Sequence, residues 1–368
     1  MKRTPRVPRK RPGPAAPEAP HVPPAAASRF VPPYPPSWVD RLAARVDRLP
    51  IPWWLAYALL AAVFSGVVAV ALWQIGVYAI VGFHPMQIWI PTLAAYLLGL
   101  THGLDRAAAS SMKRFRPAFR GDEADYAAAV YRMTTLPARP TLIFTVVATI
   151  VTLPMGSYEM SQIQTGGLMM SPALFTTLLV ILYAIFYVWF FHIWRQLREI
   201  HRLYRDWAQV RLTDIRPLYA LSRVTSLTAL GIVVFNYGWF LAQPGANPTN
   251  PVTVGETLFN LVLAVAVFVL PLWGAHRLLS EKKEQALSGL AARKEATRAQ
   301  LHQAVDAGKL ARVDPLHKAL EALQAEFAEV GKTATWPWAP GTLRNLMGAV
   351  LLPMALWLIQ FALQKVLG

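Results

Sequence analysis

Apolar residues fall in long unbroken runs along this chain, separated by shorter stretches in which apolar and polar positions alternate at helical spacing. Seven runs stand out, at about 53–80, 85–104, 140–155, 172–194, 218–241, 258–279 and 346–363. A helix needs about 20 mostly apolar residues to cross the hydrocarbon core of a bilayer. It also satisfies its own backbone hydrogen bonds, which hydrocarbon cannot do. The pattern therefore predicts an all-α polytopic membrane protein with seven transmembrane helices. Trp53 and Trp54 open the first run as interfacial anchors.

Between the runs the period changes. Trp38, Leu42, Val46 and Leu49 stand at helical spacing just before the first run, which predicts a short amphipathic helix on the inner membrane surface. After Trp194, the positions Leu197, Ile200 and Tyr204 carry span four onward as a helix with one apolar face. After Leu279, the three-and-four steps Leu287, Leu290, Lys294, Thr297, Leu301 and Ala304 run up to Gly308. The same step then repeats from Asp314-Pro315 through Leu316, Leu320, Leu323, Phe327 and Val330 to Gly331. Two amphipathic helices joined by a short break predict an antiparallel hairpin over 280–331, the first arm being weakest at Lys294 and Thr297. The stretch TWPWAPGTLR follows, and its prolines turn the chain back to the membrane surface. The expected organisation is a tail over 1–36, spans one to six with their helical loops over 37–279, the hairpin, and a final turn and span over 332–368.

Charge sets the expected orientation. The segments 1–50, 105–139, 195–223 and 277–344 hold 10, 7, 7 and 11 of the 36 Lys and Arg residues, while 157–171 and 243–255 hold none. This strict alternation over an odd number of spans predicts a multi-pass protein of the cell membrane with its N-terminus in the cytoplasm and its C-terminus outside. The net charge of +16 then belongs to contact with anionic lipid at the inner surface, not to nucleic acid. Residues 1–36 are rich in Pro and Arg and nearly free of aliphatic side chains. Such a segment cannot bury a core and is expected to be a disordered basic cytoplasmic tail. It lacks the apolar stretch of a secretory signal. The chain has no cysteine, which excludes disulfides, thiolate metal sites and cysteine nucleophiles.

Candidate chemistry is sparse. No GxxxxGK[ST], HExxH or GxSxG motif occurs, so neither an enzyme nor a cofactor or metal is expected. His102 and Asp105, three apart, share a helix face, and with His192 and His276 they read as polar residues at the inner interface. Asp105, Glu159 and Glu256 all lie near span ends, and no acidic residue lies mid-span, which argues against ion-coupled pumping. Thr141, Thr145, Thr149 and Thr152 line one face of span three, a packing pattern. Asn236 and Asn260 fall in the outer halves of spans five and six, level with Tyr158, Phe175, Tyr237 and Trp239. Two readings fit these residues: a cavity for a small, mostly apolar ligand, or an aromatic belt in which the amides act as packing glue. In the last run, Trp357, Gln360, Phe361 and Gln364 share one face. That face either lines a pore in an oligomer or is buried within one subunit.

The layout resembles the seven-transmembrane ion channel superfamily of insect odorant and gustatory receptors. That family has the same predicted orientation, long inner extensions of helices four to six, and a seventh helix split into an inner and a membrane part. Its final-helix signature is Thr-Tyr, five hydrophobic residues, then Gln-Phe. Here Pro353-Met354, Ala355 to Ile359 and Gln360-Phe361 occupy the equivalent positions, so the Gln-Phe end matches and the Thr-Tyr start does not. The resemblance implies a homotetramer held by an anchor-like bundle of inner helices, conducting monovalent or divalent cations along the last helix, and a ligand cavity among spans two to six. The expected function is a ligand-gated or leak cation channel, chemoreceptor-like in plan. The rival readings are a non-channel membrane sensor or scaffold that uses the hairpin to bind a partner, and a carrier of a small solute.

Overall fold

The computed structural model describes residues 30–74, 85–165, 172–212, 214–242, 251–338, 341–345 and 347–349. The side chains of 85–87, 155–165, 172, 239–242, 251–254, 256 and 257 also lie outside the description. Among the described residues the chain is 86% helical and has no strand. Four of the described stretches are long and apolar enough to cross a membrane: Trp53–Gln74, Ala173–Trp207, Arg216–Gly238 and Leu258–Asp306. Ala138–Pro154 is a shorter apolar helix. The all-α fold is therefore seen directly, and it holds helices long and apolar enough to cross a membrane. Most of the predicted seventh run (346 and 350–363), the basic tail up to residue 29, and the pore-face residues Trp357, Gln360, Phe361 and Gln364 lie outside the described residues.

Helix α1, Trp38–Val46, begins with a capping box in which the Ser37 hydroxyl accepts from the Asp40 N–H and the Asp40 carboxylate accepts from the Ser37 N–H. Such reciprocal bonds satisfy two donors that a helix start leaves open. The apolar stripe expected to meet lipid meets protein instead. Val39 is buried in a cluster with Leu136, Val188 and Phe191, and Trp38, Leu42 and Val46 pack against that cluster. The Trp38 Nε1–H donates to Thr145 Oγ1 at 3.1 Å.

Helix α2, Trp53–Gln74, lies against α3, Pro85–Phe115. α3 is the centre of the bundle. It packs on α2, on α4 (Glu123–Thr134), on α6 (Pro172–Arg202) and on α7 (Ser222–Ala242). Its buried positions Leu93, Leu97, Ala108, Met112 and Phe115 join the main core, and Leu104 is buried as well. α3 runs eleven residues past the predicted end of the second apolar run, because these small and apolar side chains keep a buried face beyond it. α5, Ala138–Thr165, packs mainly on α6. Its four threonines bond their own helix: the hydroxyls of Thr141, Thr145, Thr149 and Thr152 donate to carbonyls four residues back, at 2.6 to 3.0 Å. Their hydroxyl protons are spent locally, as expected of Thr in an apolar helix, while Thr145 also accepts from Trp38.

α6 ends in a π-helical turn, Leu203–Trp207. There the fully buried Tyr204 donates to Leu218 O at 2.6 Å, and Trp207 stacks on Phe119 at 5.2 Å. α8, Pro251–Val269, packs on α7, and a short 3-10 turn at Leu270–Leu272, forced by Pro271, hands the chain to α9, Trp273–Asp306. Gly308, at φ +67, closes the turn into α10, Leu310–Lys332. Only glycine takes that backbone region without strain. α9 and α10 run antiparallel. Lys294 Nζ lies 4.7 Å from the Phe327 ring centroid, and Lys283 Nζ donates to the carbonyls of Gly331 and Thr333 at the end of α10. α10 starts at Leu310, earlier than the Asp314-Pro315 start expected from sequence, so that Pro315 sits within its second turn and costs it one backbone bond.

Candidate functional site

Three groups of polar or space-making residues stand out from this apolar scaffold. The first is a pair of carboxylate–imidazole contacts on α3. His102 and Asp105 are separated by about 60° around the helix axis, and that divergence sends them to different neighbours. Asp105 Oδ1 lies 2.8 Å from His192 Nε2 on α6. His102 turns the other way, with Nε2 at 3.3 Å from Asp47 Oδ1 and Nδ1 at 3.4 Å from the Tyr57 hydroxyl. Asp47 also accepts from Arg106 Nη1 at 2.8 Å. The two α3 residues thus brace separate helix pairs rather than forming one site. Among the described residues no group of three or more His, Asp or Glu is placed to hold a metal.

Burial pushes the Asp105 carboxyl up, to about 6, and the neighbouring His192 opposes that rise. His192 Nδ1 is buried without a hydrogen-bond partner, and so is Gln196 Oε1 one turn further along α6. Both line the same small void beside Met133 and Leu136.

On the same side of the bundle, Arg195 binds the chain ahead of α1. Its Nη1 donates to Thr135 O at 2.6 Å, its Nη2 to the Tyr34 hydroxyl at 2.5 Å, and its guanidinium lies 4.9 Å from the Tyr34 ring centroid. The Tyr131 hydroxyl donates to Tyr34 O at 2.7 Å. Burial raises the Tyr34 phenol, with Arg195 opposing. These bonds fix where residues 34–47 lie on α3, α5 and α6.

The second group is the pair of amides. Asn260 Nδ2 on α8 donates to Asn236 Oδ1 on α7 at 2.9 Å, and Asn236 is buried. The structure brings these two predicted residues together, each supplying the other's partner in an apolar setting. Phe175 on α6 is almost fully buried in the main core. Tyr237 is half-buried beside that core. The side chains of Tyr158 and Trp239 lie outside the described residues. Close by, Gly238 accepts the edge of Trp89 from α3: a Cβ at this position would fall 1.7 Å from the ring.

The third group was not singled out from the sequence. A cleft of about 710 Å³ runs between α2, α3 and α7. Its floor is made by the small residues Ala95, Gly99, Gly103 and Ala107 of α3, and its walls include Ala58, Leu227 and Val234. Gly99 lets the Tyr57 ring approach to 3.2 Å, and Gly103 lets the Trp53 ring approach to 3.0 Å of where a Cβ would sit. Arg106 and Arg223 lie at one end of the cleft, with Ser110. The spacing Gly99-x-x-x-Gly103 is the sequence signal for close helix approach, but which helices approach is a tertiary fact. Of the residues predicted for a ligand cavity whose side chains are described, Phe175, Asn236, Tyr237 and Asn260, none lines this cleft.

No protein-family model, no curated protein and no solved structure matches this chain.

Proposed function

We propose that the protein is a seven-span membrane protein, N-terminus in and C-terminus out, that assembles as a homo-oligomer of four subunits and conducts cations along its last helix. The observation that carries this reading is the return of the chain after the hairpin. Trp336 stacks on His276 and on Trp338, and Trp338 stacks on Phe268 at the end of α8. The chain is thereby brought back to the α8–α9 junction just before the apolar run 346–363 begins. On this reading the final span sets out from that junction. The proposed assembly brings these spans together on an axis shared by the four subunits, with Trp357, Gln360, Phe361 and Gln364 facing the axis.

Orientation rests on the distribution of Lys and Arg described above. The long helices α6 and α9, which continue beyond their apolar stretches, fit the inner extensions that the resemblance to the odorant-receptor channel superfamily implies. The ligand reading assigns Asn236, Asn260, Phe175 and Tyr237, with Tyr158 and Trp239, to the walls of an outer cavity that would bias the gate. The scaffold reading gains less from the geometry. The spacing that would offer a partner an apolar stripe is used inside the hairpin, where Leu290 and Ala304 of α9 are buried.

The test is conductance of the purified protein in planar bilayers. Gln360→Ala is expected to change unitary conductance or selectivity while the assembly stays intact. Conductance that is indifferent to substitution at all four positions would remove the pore assignment.

A further inference from the structure

The cleft between α2, α3 and α7 has two chemically distinct ends. Because α3 runs antiparallel to both α2 and α7, Trp53, Trp54, Arg106, Ser110 and Arg223 gather at one end, and Ala61, Thr92 and Val234 at the other. The contacts fix this register: the Tyr96 hydroxyl donates to Gly231 O at 2.9 Å, and Ser65 Oγ lies 3.5 Å from Thr92 Oγ1. From Arg223 to Val234 the cleft follows α7 for eleven residues, about 16 Å. Its apolar walls stay open on the outside of the bundle, where Leu230 and Val234 are exposed.

Charge at the polar end is unbalanced. Arg106 is paired with Asp47, which His102 also contacts. Arg223 is exposed and has no carboxylate partner among the described residues. Two arginines therefore line this end of the cleft with only one of them paired to a carboxylate, and Ser110, Trp53 and Trp54 line the same end. A guanidinium is suited to a phosphate diester, to which it can donate two parallel bonds. Trp53 and Trp54 are the side chains expected at headgroup depth. An apolar furrow that starts at such a cationic end matches one ligand shape: a charged head on a long tail.

We infer that this cleft is a binding site for an anionic glycerophospholipid of the phosphatidylglycerol class. Its phosphodiester is held by Arg223 and Arg106, and one acyl chain lies over the small residues of α3 toward Val234. On the positive-inside orientation the headgroup belongs to the inner leaflet. The inference rests on placement in a bilayer and not on conduction, so it stands or falls separately from the channel reading.

The experiment uses the full-length protein extracted in mild detergent. Thermal unfolding is followed while phosphatidylglycerol or phosphatidylcholine is added, and bound lipid is counted by native mass spectrometry. Wild-type protein is expected to retain phosphatidylglycerol in preference to phosphatidylcholine and to be stabilised by it. Arg223→Gln is expected to weaken that binding about fivefold, the equivalent of the roughly 1 kcal/mol that one basic side chain contributes at an acidic surface. Ala61→Trp, which fills the furrow and keeps both arginines, should reduce retention as well. Arg298→Gln on the hairpin should leave retention unchanged. Equal retention of the two lipids by the wild type would overturn the inference even if a variant failed to fold, and so would unchanged binding by a folded Arg223→Gln protein. Displacement of the lipid by millimolar inorganic phosphate alone would assign a free-anion site instead and also overturn it.

Discussion

The imidazole of His276 lies flat on the indole of Trp336, with ring centroids 4.0 Å apart and planes 9° from parallel. Sixty residues separate the two, and the hairpin of α9 and α10 lies between them. His276 Nδ1 also lies 3.2 Å from Thr335 O, and Trp273 meets Trp336 edge-on at 5.8 Å. The contact closes the base of the hairpin and sets where the last apolar run begins. Stacked aromatic pairs contribute about 0.5 to 1.5 kcal/mol each beyond the area they bury. Trp336→Ala is therefore expected to cost about 1 to 3 kcal/mol, read as a lower Tm in detergent. Trp336→Phe should recover part of the loss.

Asp105 predicts a pH dependence. Burial raises its carboxyl from 3.8 to about 6. Between those values the folded protein holds a proton that the unfolded chain has released, so stability falls as pH rises through that window. The groups facing it are His192 and Arg195 from α6 and Asp40 from α1. Asp105→Asn is expected to flatten this part of the Tm-against-pH curve between about pH 4 and pH 6. An unchanged slope would place the titration elsewhere.

The amide pair calls for a double-mutant cycle. Asn260→Leu alone strands the buried Asn236 amide, whereas replacing both with Leu removes the unpaired group. Interhelical hydrogen bonds of this kind in membranes contribute about 0.6 kcal/mol on average and about 1.7 at most. The single variant should lose about that much stability, and the double variant should be closer to wild type. Additive losses would mean that the amides do not support each other.

Gly238 is expected to tolerate no side chain. A Cβ there meets the Trp89 ring at 1.7 Å, so Gly238→Ala must displace the indole or part α3 from α7. Overpacking of this kind costs about 1 to 3 kcal/mol, and Trp89→Leu in the same chain should relieve most of it. Thermal unfolding of the two single variants and the double variant decides the point.

Much of the helical layout was legible because periodicity is a local property. The threonine face of α5, the apolar stripe of α1 and the break at Gly308 can all be read from spacing alone. Lys294, a poor seam residue on polarity, sits over the Phe327 ring, where a cation and an aromatic face attract. What spacing could not show was which element each face meets. The stripe of α1 looked suited to a membrane surface, yet it covers Leu136, Val188 and Phe191. His102 and Asp105 looked like one cluster, yet α2 and α6 draw them apart. The cleft over Gly99 and Gly103 exists only because α7 packs on α3, more than a hundred residues away in sequence. Asn236 and Asn260 were found by composition, since an amide in an apolar helix needs a partner, but their mutual bond is a tertiary outcome.

Orientation can be tested without altering native chemistry, because the chain has no cysteine. Single cysteines at Ala15 and at Gly368 are expected to differ in labelling of intact cells by an impermeant maleimide. The first should stay unlabelled until the membrane is opened, and the second should react at once. The reverse pattern would invert the charge-based topology.

The most direct measurement is the subunit number and symmetry of the purified protein in lipid nanodiscs, by mass measurement and by particle images. Four subunits with residues 346–363 gathered on the symmetry axis is the result predicted for a cation channel. A monomer, or a dimer with no helix on its axis, would contradict it.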